Sequence, residues 1–208
     1  PDSLIGKIFD DIASIPQRPP FEVQLSRVNE PFLDSRIYDL SSEVERRFPE
    51  ASQAFFSNAT PLNEKNLLRL AGLQRVAYLN LSVNDHRQSE YEAVMRLPFE
   101  RTLERLAVSN RMKAEGALRV QIYLSRVGDG SAADAEFLEW VRVEFPALSG
   151  LVTQRCDWIN TVVTTTGSVP NAGCRQWFQL HFLANGRNAF CCIDANGLHG
   201  AASAAEGH

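Results

Sequence analysis

Five short runs rich in β-branched and aromatic residues recur along this chain, separated by stretches of helical periodicity. They are FEVQLS at 21–26, AFFSN at 54–58, RVAYLNLSV at 75–83, LRVQIYLSRV at 118–127 and a segment around Leu151–Ile159. The alternation constrains the fold more than any other feature. Successive strands joined by helices pair parallel through right-handed crossovers, as in a doubly wound sheet or a barrel. Five strands make a sheet, not a closed eight-stranded barrel. In either arrangement the functional residues belong in the loops at the carboxyl ends of the strands. Those ends are Ser26–Glu30, Ser57–Asn58, Ser82–Asn84, Ser125–Arg126 and Arg155–Asp157. All are polar beside the strand bodies that precede them, so a shared polar cleft is predicted.

The helical stretches follow from the same pattern. Residues 2–15 place Leu4, Ile8, Ile12 and Ile15 near one face, with Asp2 or Ser3 available as a cap. A second helix is predicted from Ile37 to Phe48 and a third in ATPLNEKNLLRLAG, where Gly72 suits the stop. One or two helices lie between Ser89 and Lys113, interrupted by Pro98. AADAEFLEWVRVEF is helical with Phe137, Leu138, Val141 and Phe145 predicted to face inward.

From Val162 the pattern changes. TTTGSVPNAG reads as a linker, and QWFQLHFLANGRNAFCCID as two apolar strands joined around Asn185-Gly186. The expected organisation is therefore an α/β body over 1–161, a β-hairpin element over 162–197 and a polar tail over 198–208.

A net charge of −4 gives no basic field, so a nucleic-acid backbone is not expected as a partner. No apolar run approaches bilayer-spanning length and the N-terminus lacks a basic segment followed by an apolar one, so no membrane partner is expected and the protein reads as cytoplasmic. The four cysteines, at 156, 174, 191 and 192, are too few and too clustered for a secreted disulfide scaffold. Reduced thiols or metal ligands remain. The chain starts at Pro1 without a methionine, and the expectation is part of a longer protein.

The order VQLSRVNEPFLD, FFSNATPLNEKNLLRL, VAYLNLSVNDHRQSEYEAVM resembles the second, third and fourth strands of radical S-adenosylmethionine (SAM) enzymes. There a glycine-glycine-glutamate-proline loop, a Thr/Ser-Asn-Gly loop and a Ser-x-Asp loop follow in that order. Cys174, eleven residues, Gly186, four residues and Cys191 resemble the start of the SPASM or twitch extension, which holds auxiliary iron–sulfur clusters, and CCIDANG resembles its continuation. The resemblance implies a partial (β/α) TIM-like barrel of parallel strands with a small C-terminal β-hairpin extension. It implies reductive cleavage of SAM to a 5′-deoxyadenosyl radical for hydrogen abstraction, with [4Fe-4S] clusters, an electron donor such as flavodoxin or ferredoxin, and a small-molecule or peptide substrate.

Carried over residue by residue, Glu30 would accept hydrogen bonds from the methionyl ammonium of SAM. Ser82 would contact its ribose or carboxylate, Asn84 stands where the family often has aspartate, and Ser57 and Asn58 line the neighbouring loop. Arg126 would pair with the SAM carboxylate. Cys174 and Cys191 would ligate an auxiliary cluster, with Cys192 a third candidate. The family's C-x3-C-x2-C run is absent from these residues, so the cluster that cleaves SAM has no ligands here and this piece alone is expected to be inactive. Arg-Val-Asn-Glu-Pro also replaces the family's glycines with bulkier residues.

Two other functions fit the residues. One is a non-catalytic degenerate barrel binding a ligand or peptide, with a zinc site from the cysteines and His181 or His199. The other is an ordinary parallel α/β enzyme using Glu30 and Asp157 for acid–base work.

Overall fold

The computed structural model describes residues 2–16, 19–27, 29–154, 179–189, 194 and 196–198. The chain divides into two compact units, residues 19–154 and residues 1–18 with 155–208.

The first unit is a five-stranded parallel sheet, β1 (Glu22–Val23), β2 (Ser52–Ser57), β3 (Val76–Ser82), β4 (Gln121–Val127) and β5 (Ser149–Thr153), in the spatial order β1-β2-β3-β4-β5. Each strand lies beside its predecessor, and among the described strands the order does not reverse. A doubly wound sheet has a reversal point, and none occurs among the described strands. The predicted strands are all present. The last begins at Ser149, two residues before the expected Leu151, and residues 155–159 lie outside the described residues.

The helices form where the pattern places them. α2 (Ile37–Arg47) joins β1 to β2, and Arg46 and Arg47 sit in its last turn, where cations favour the helix dipole. α3 (Glu64–Ala71) starts at Asn63, whose side chain accepts from the Asn66 amide at 2.9 Å, and stops at Gly72. Between β3 and β4 lie two helices, α4 (Gln88–Met95) and α5 (Phe99–Ala114), and Pro98 caps the second because it cannot continue the first. α6 (Ala132–Glu144) leads to β5.

Alternation along the strands sorts the sheet into two unlike faces. One carries Phe55, Leu79, Leu81, Ile122 and Leu124, and these join Ile37, Leu67, Leu70, Leu106, Phe137 and Val141 of the helices in a single buried cluster. Each fully buried side chain of this kind contributes about 1.5–3 kcal/mol. Leu138 does not follow the inward prediction: it is 40% exposed, while Trp140, three residues on from Phe137, packs against the core. A step of about 100° per residue carries Leu138 to the flank of the stripe. The opposite face of the sheet carries Phe56, Tyr78, Asn80, Ser82, Gln121, Tyr123 and Ser125. Parallel sheets are usually apolar on both faces, so this polar and aromatic face departs from the usual pattern.

The second unit contains α1 (Asp2–Ala13), whose exposed face pairs Lys7 with Asp11 at 2.6 Å, and a hairpin of β6 (His181–Phe182) and β7 (Asn188–Ala189). The turn closes with the Gly186 amide donating to the Leu183 carbonyl at 2.9 Å. Gly186 adopts φ 83°, a left-handed conformation that favours glycine. The Arg187 side chain donates to the Gly197 carbonyl at 3.0 Å.

Candidate functional site

The loop after β1 returns toward the sheet through a 3-10 turn at Pro31–Leu33, and Glu30 caps that turn, accepting from the Phe32 amide at 3.3 Å. The same carboxylate reaches across to the tip of β2. Oε1 accepts the Ser57 hydroxyl at 2.9 Å and Oε2 accepts the Asn58 amide at 2.7 Å. Ser57 Oγ accepts in turn from the Ala59 amide at 3.0 Å, and Asn58 Oδ1 accepts from both the amide (3.0 Å) and the hydroxyl (2.6 Å) of Thr60. Every donor to Glu30 in this set is neutral. No ion pair involving Glu30 occurs among the described residues.

Glu30, Ser57 and Asn58 line an open hollow of about 230 Å³ together with Ser82, Arg27, Asn29 and Phe56. The structure therefore brings together four of the residues singled out by sequence. Ser82 ends β3 and makes no side-chain hydrogen bond among the described residues. Sequence reasoning passed over Arg27, Asn29 and Phe56. The first two belong to a strand tip it had identified, and Phe56 lies two residues before Asn58 on the same face, so alternation would have found it.

The loop after β2 turns through Ala59 at φ 68°. Alanine pays a steric cost there that glycine would not, and the turn is held by the Leu62 amide bonded to the Ala59 carbonyl at 2.9 Å.

Asn84 and Arg126 lie apart from the hollow. Arg126, with its side chain 8% exposed, donates from Nε to Asp134 at 2.8 Å and from Nη1 to Asp85 at 2.7 Å and the Asn84 carbonyl at 2.6 Å. Asp129 lies 3.6 Å from Nη2. Asp85 also takes a two-pronged contact from Arg87, both bonds at 2.9 Å. Burial pulls the Asp85 carboxyl upward, but the bonds from Arg87 and Arg126 outweigh it and hold the group well below the usual carboxylate range. The bond from Arg126 likewise lowers Asp134. Asn84 turns the chain at φ 67°, which asparagine tolerates, and accepts from the Val127 amide at 3.2 Å. In the structure the Arg126 guanidinium is buried and bonded to the carboxylates of Asp85 and Asp134 of its own chain.

None of the four cysteines is among the described residues, so Cys174, Cys191 and Cys192, with Cys156, Asp157 and His199, lie outside what the structure describes. His181 lies in β6. Among the described residues no group of three or more His, Cys, Asp or Glu could hold a metal ion, and no helix is long and apolar enough to cross a membrane. The chain matches no family model and no curated protein.

Chemically, the hollow offers a carboxylate fixed by neutral donors, a hydroxyl and amides. That set suits the recognition of a small cation with polar groups beside it.

Proposed function

We propose that residues 19–154 form part of the wall of a (β/α) barrel of the radical SAM type, and that the hollow at the tips of β1, β2 and β3 takes the amino-acid end of SAM. The observation that carries the reading is the Glu30 carboxylate, tied to the next strand tip by Ser57 and Asn58 and without an ion pair among the described residues. An ionised carboxylate has about four lone-pair sites. Ser57, Asn58 and Phe32 occupy three, which leaves one for an ammonium group. The hollow, at about 230 Å³, is smaller than the roughly 300–1,000 Å³ of sites that enclose a whole ligand. It suits one end of SAM.

Two further features support the barrel. The sheet order is monotonic and the helices' buried residues cluster with one face only, as in a barrel wall, whose helices lie outside it. Ala59 occupies the position of the family's loop glycine and adopts the backbone that glycine would adopt freely.

In this reading Glu30 binds the methionyl ammonium and Ser82 donates to the ribose or carboxylate. Ser57 and Asn58 are positioning residues that fix the Glu30 carboxylate. When bound, SAM and a reduced [4Fe-4S] cluster supply the 5′-deoxyadenosyl radical for hydrogen abstraction, and the protein orients them. The described residues offer no thiolate to a cluster; that part of the proposal rests on Cys174, Cys191 and Cys192 and on an intact protein containing the three-cysteine loop, supplied with electrons by a flavodoxin or ferredoxin. The substrate is a small molecule or peptide.

A second reading is a binding domain without catalysis, favoured by the way Glu30 already serves the fold as a cap. Calorimetric titration of SAM into the chain and into Glu30→Gln tests the site. The wild type should saturate, and the variant should bind roughly tenfold or more weakly, since a hydrogen bond to a charged group is lost. Equal affinity sinks the SAM reading. Iron and 5′-deoxyadenosine in an anaerobic preparation of the intact protein separate the enzyme from the binding domain.

A further inference from the structure

The loop after β2 closes on itself before it closes on Glu30. Asn58 Oδ1 accepts the Thr60 amide at 3.0 Å, which makes an Asx turn, and the Thr60 hydroxyl donates to the same oxygen at 2.6 Å. A carbonyl oxygen has two lone pairs, and Thr60 fills both. With its oxygen occupied, the Asn58 side chain has only its NH2 group left for a further partner, and Asn58 lines the hollow. The same turn aims the Asn58 backbone N–H at Glu30 Oε2, 2.7 Å away.

Thr60 stands on a rigid frame. The carbonyl of Pro61, the next residue, accepts from the Asn63 amide at 2.9 Å and from the Asn66 side chain of α3 at 2.7 Å. Leu67 and Leu70 bury that helix in the core, and Leu62, fully buried, closes the turn onto the Ala59 carbonyl. Thr60 does not line the hollow. It links a helix fixed in the core to the residue that holds the Glu30 carboxylate.

We propose that Thr60 is a positioning residue for the Glu30 site: its hydroxyl locks the Asn58 side chain, and through it the backbone N–H that fixes the carboxylate in one orientation toward its ligand. The inference deepens the proposed function and rests on it for the identity of that ligand. The coupling of Thr60 to Asn58 and Glu30 stands on the hydrogen bonds alone.

The test compares Thr60→Val, which keeps the β-branched shape and the backbone amide but has no hydroxyl, with Thr60→Ser, which keeps the hydroxyl, both in the full chain. Amide hydrogen exchange followed by nuclear magnetic resonance reads the Asn58 N–H, and calorimetric titration of SAM reads the site. The expected result is Asn58 exchange faster by roughly three- to tenfold in Thr60→Val and within about twofold of the wild type in Thr60→Ser. SAM affinity should fall by a similar factor in Thr60→Val and recover in Thr60→Ser, while the amides of Phe55 and Leu79 in the central strands keep their protection. Unchanged Asn58 exchange in Thr60→Val overturns the proposal. So does a loss of protection at Phe55 and Leu79, which would make Thr60 a residue of the fold at large, and so does a Thr60→Ser variant that behaves like Thr60→Val. The two readings fail separately. A wild type that does not bind SAM, or binds it no more tightly than Glu30→Gln does, removes the SAM assignment while Asn58 exchange still decides the role of Thr60. Faster exchange with SAM affinity unchanged in Thr60→Val removes the positioning role and leaves the SAM assignment standing.

Discussion

Two polar corners sit at the carboxyl ends of the same sheet, and they handle charge in opposite ways. At the tips of β3 and β4, Arg126 is shared among Asp85, Asp134 and Asp129, and Arg87 closes the far side of Asp85. At the tips of β1 and β2, Glu30 meets only neutral donors among the described residues. The first corner is complete without a ligand: each buried charge has an opposite charge in contact. The second is held in shape by neutral donors, and among the described residues its carboxylate makes no ion pair, beside a hollow that Arg27 also lines. Polar strand ends are thus of two kinds, and what distinguishes them is whether the charges cancel among themselves.

The largest expected effect lies in the closed corner. Arg126→Met leaves Asp85 and Asp134 without their shared cation, and urea unfolding should show a loss of about 3–5 kcal/mol. A loss under about 1 kcal/mol would mean the carboxylates reach water and the corner is not closed. Asp85→Asn should cost less, because Arg126 keeps Asp134. Its pH dependence is the sharper measurement. Asp85 has a folded pKa below its unfolded value of about 3.9, so its stabilising contribution is complete above the unfolded value and is lost as pH falls toward the folded one. The stability gap between wild type and Asp85→Asn should stay level near neutral pH and narrow below about pH 4. A gap that held constant into stronger acid would contradict the pairing.

The sheet was legible in the sequence because strand alternation and helix periodicity are local signals, and each predicted strand has its counterpart. β1 is shorter than the FEVQLS run suggested, only Glu22–Val23 paired with Ser52 and Gln53, while β2 runs on to Ser57. The hollow was legible as a set of strand tips. The fate of Arg126 was not, because its partners are separated from it by 41 and 8 residues and no local pattern joins them. Asn80 was missed for a different reason. A polar residue inside an apolar run reads as a weak strand position, and only the register shows it standing between Phe56 and Tyr123.

In the open corner, effects on stability should be small and effects on binding large. Glu30→Gln keeps one acceptor oxygen of two, so it should cost only about 1 kcal/mol in unfolding while reducing SAM affinity. Ser57→Ala should cost a similar amount, since both Glu30 and the Ala59 amide lose a bond. A collapse of the fold in either variant would make Glu30 a structural group and erase the contrast between the corners.

The smallest effect tests the backbone of the two turns against each other. Both corners turn through a left-handed residue, Ala59 at φ 68° and Asn84 at φ 67°. Ala59 carries a Cβ penalty of about 1–2 kcal/mol, offset in a glycine variant by about 0.4–1 kcal/mol of extra freedom in the unfolded chain. Ala59→Gly should therefore stabilise the protein by roughly half a kcal/mol. Asn84→Gly should instead destabilise it by about 1 kcal/mol, because asparagine already tolerates the conformation and its side chain accepts from the Val127 amide. Thermal melts of the two variants should shift in opposite directions. A fall in melting temperature in both would show that the turn after β2 carries no strain, and that the open corner is as relaxed as the closed one.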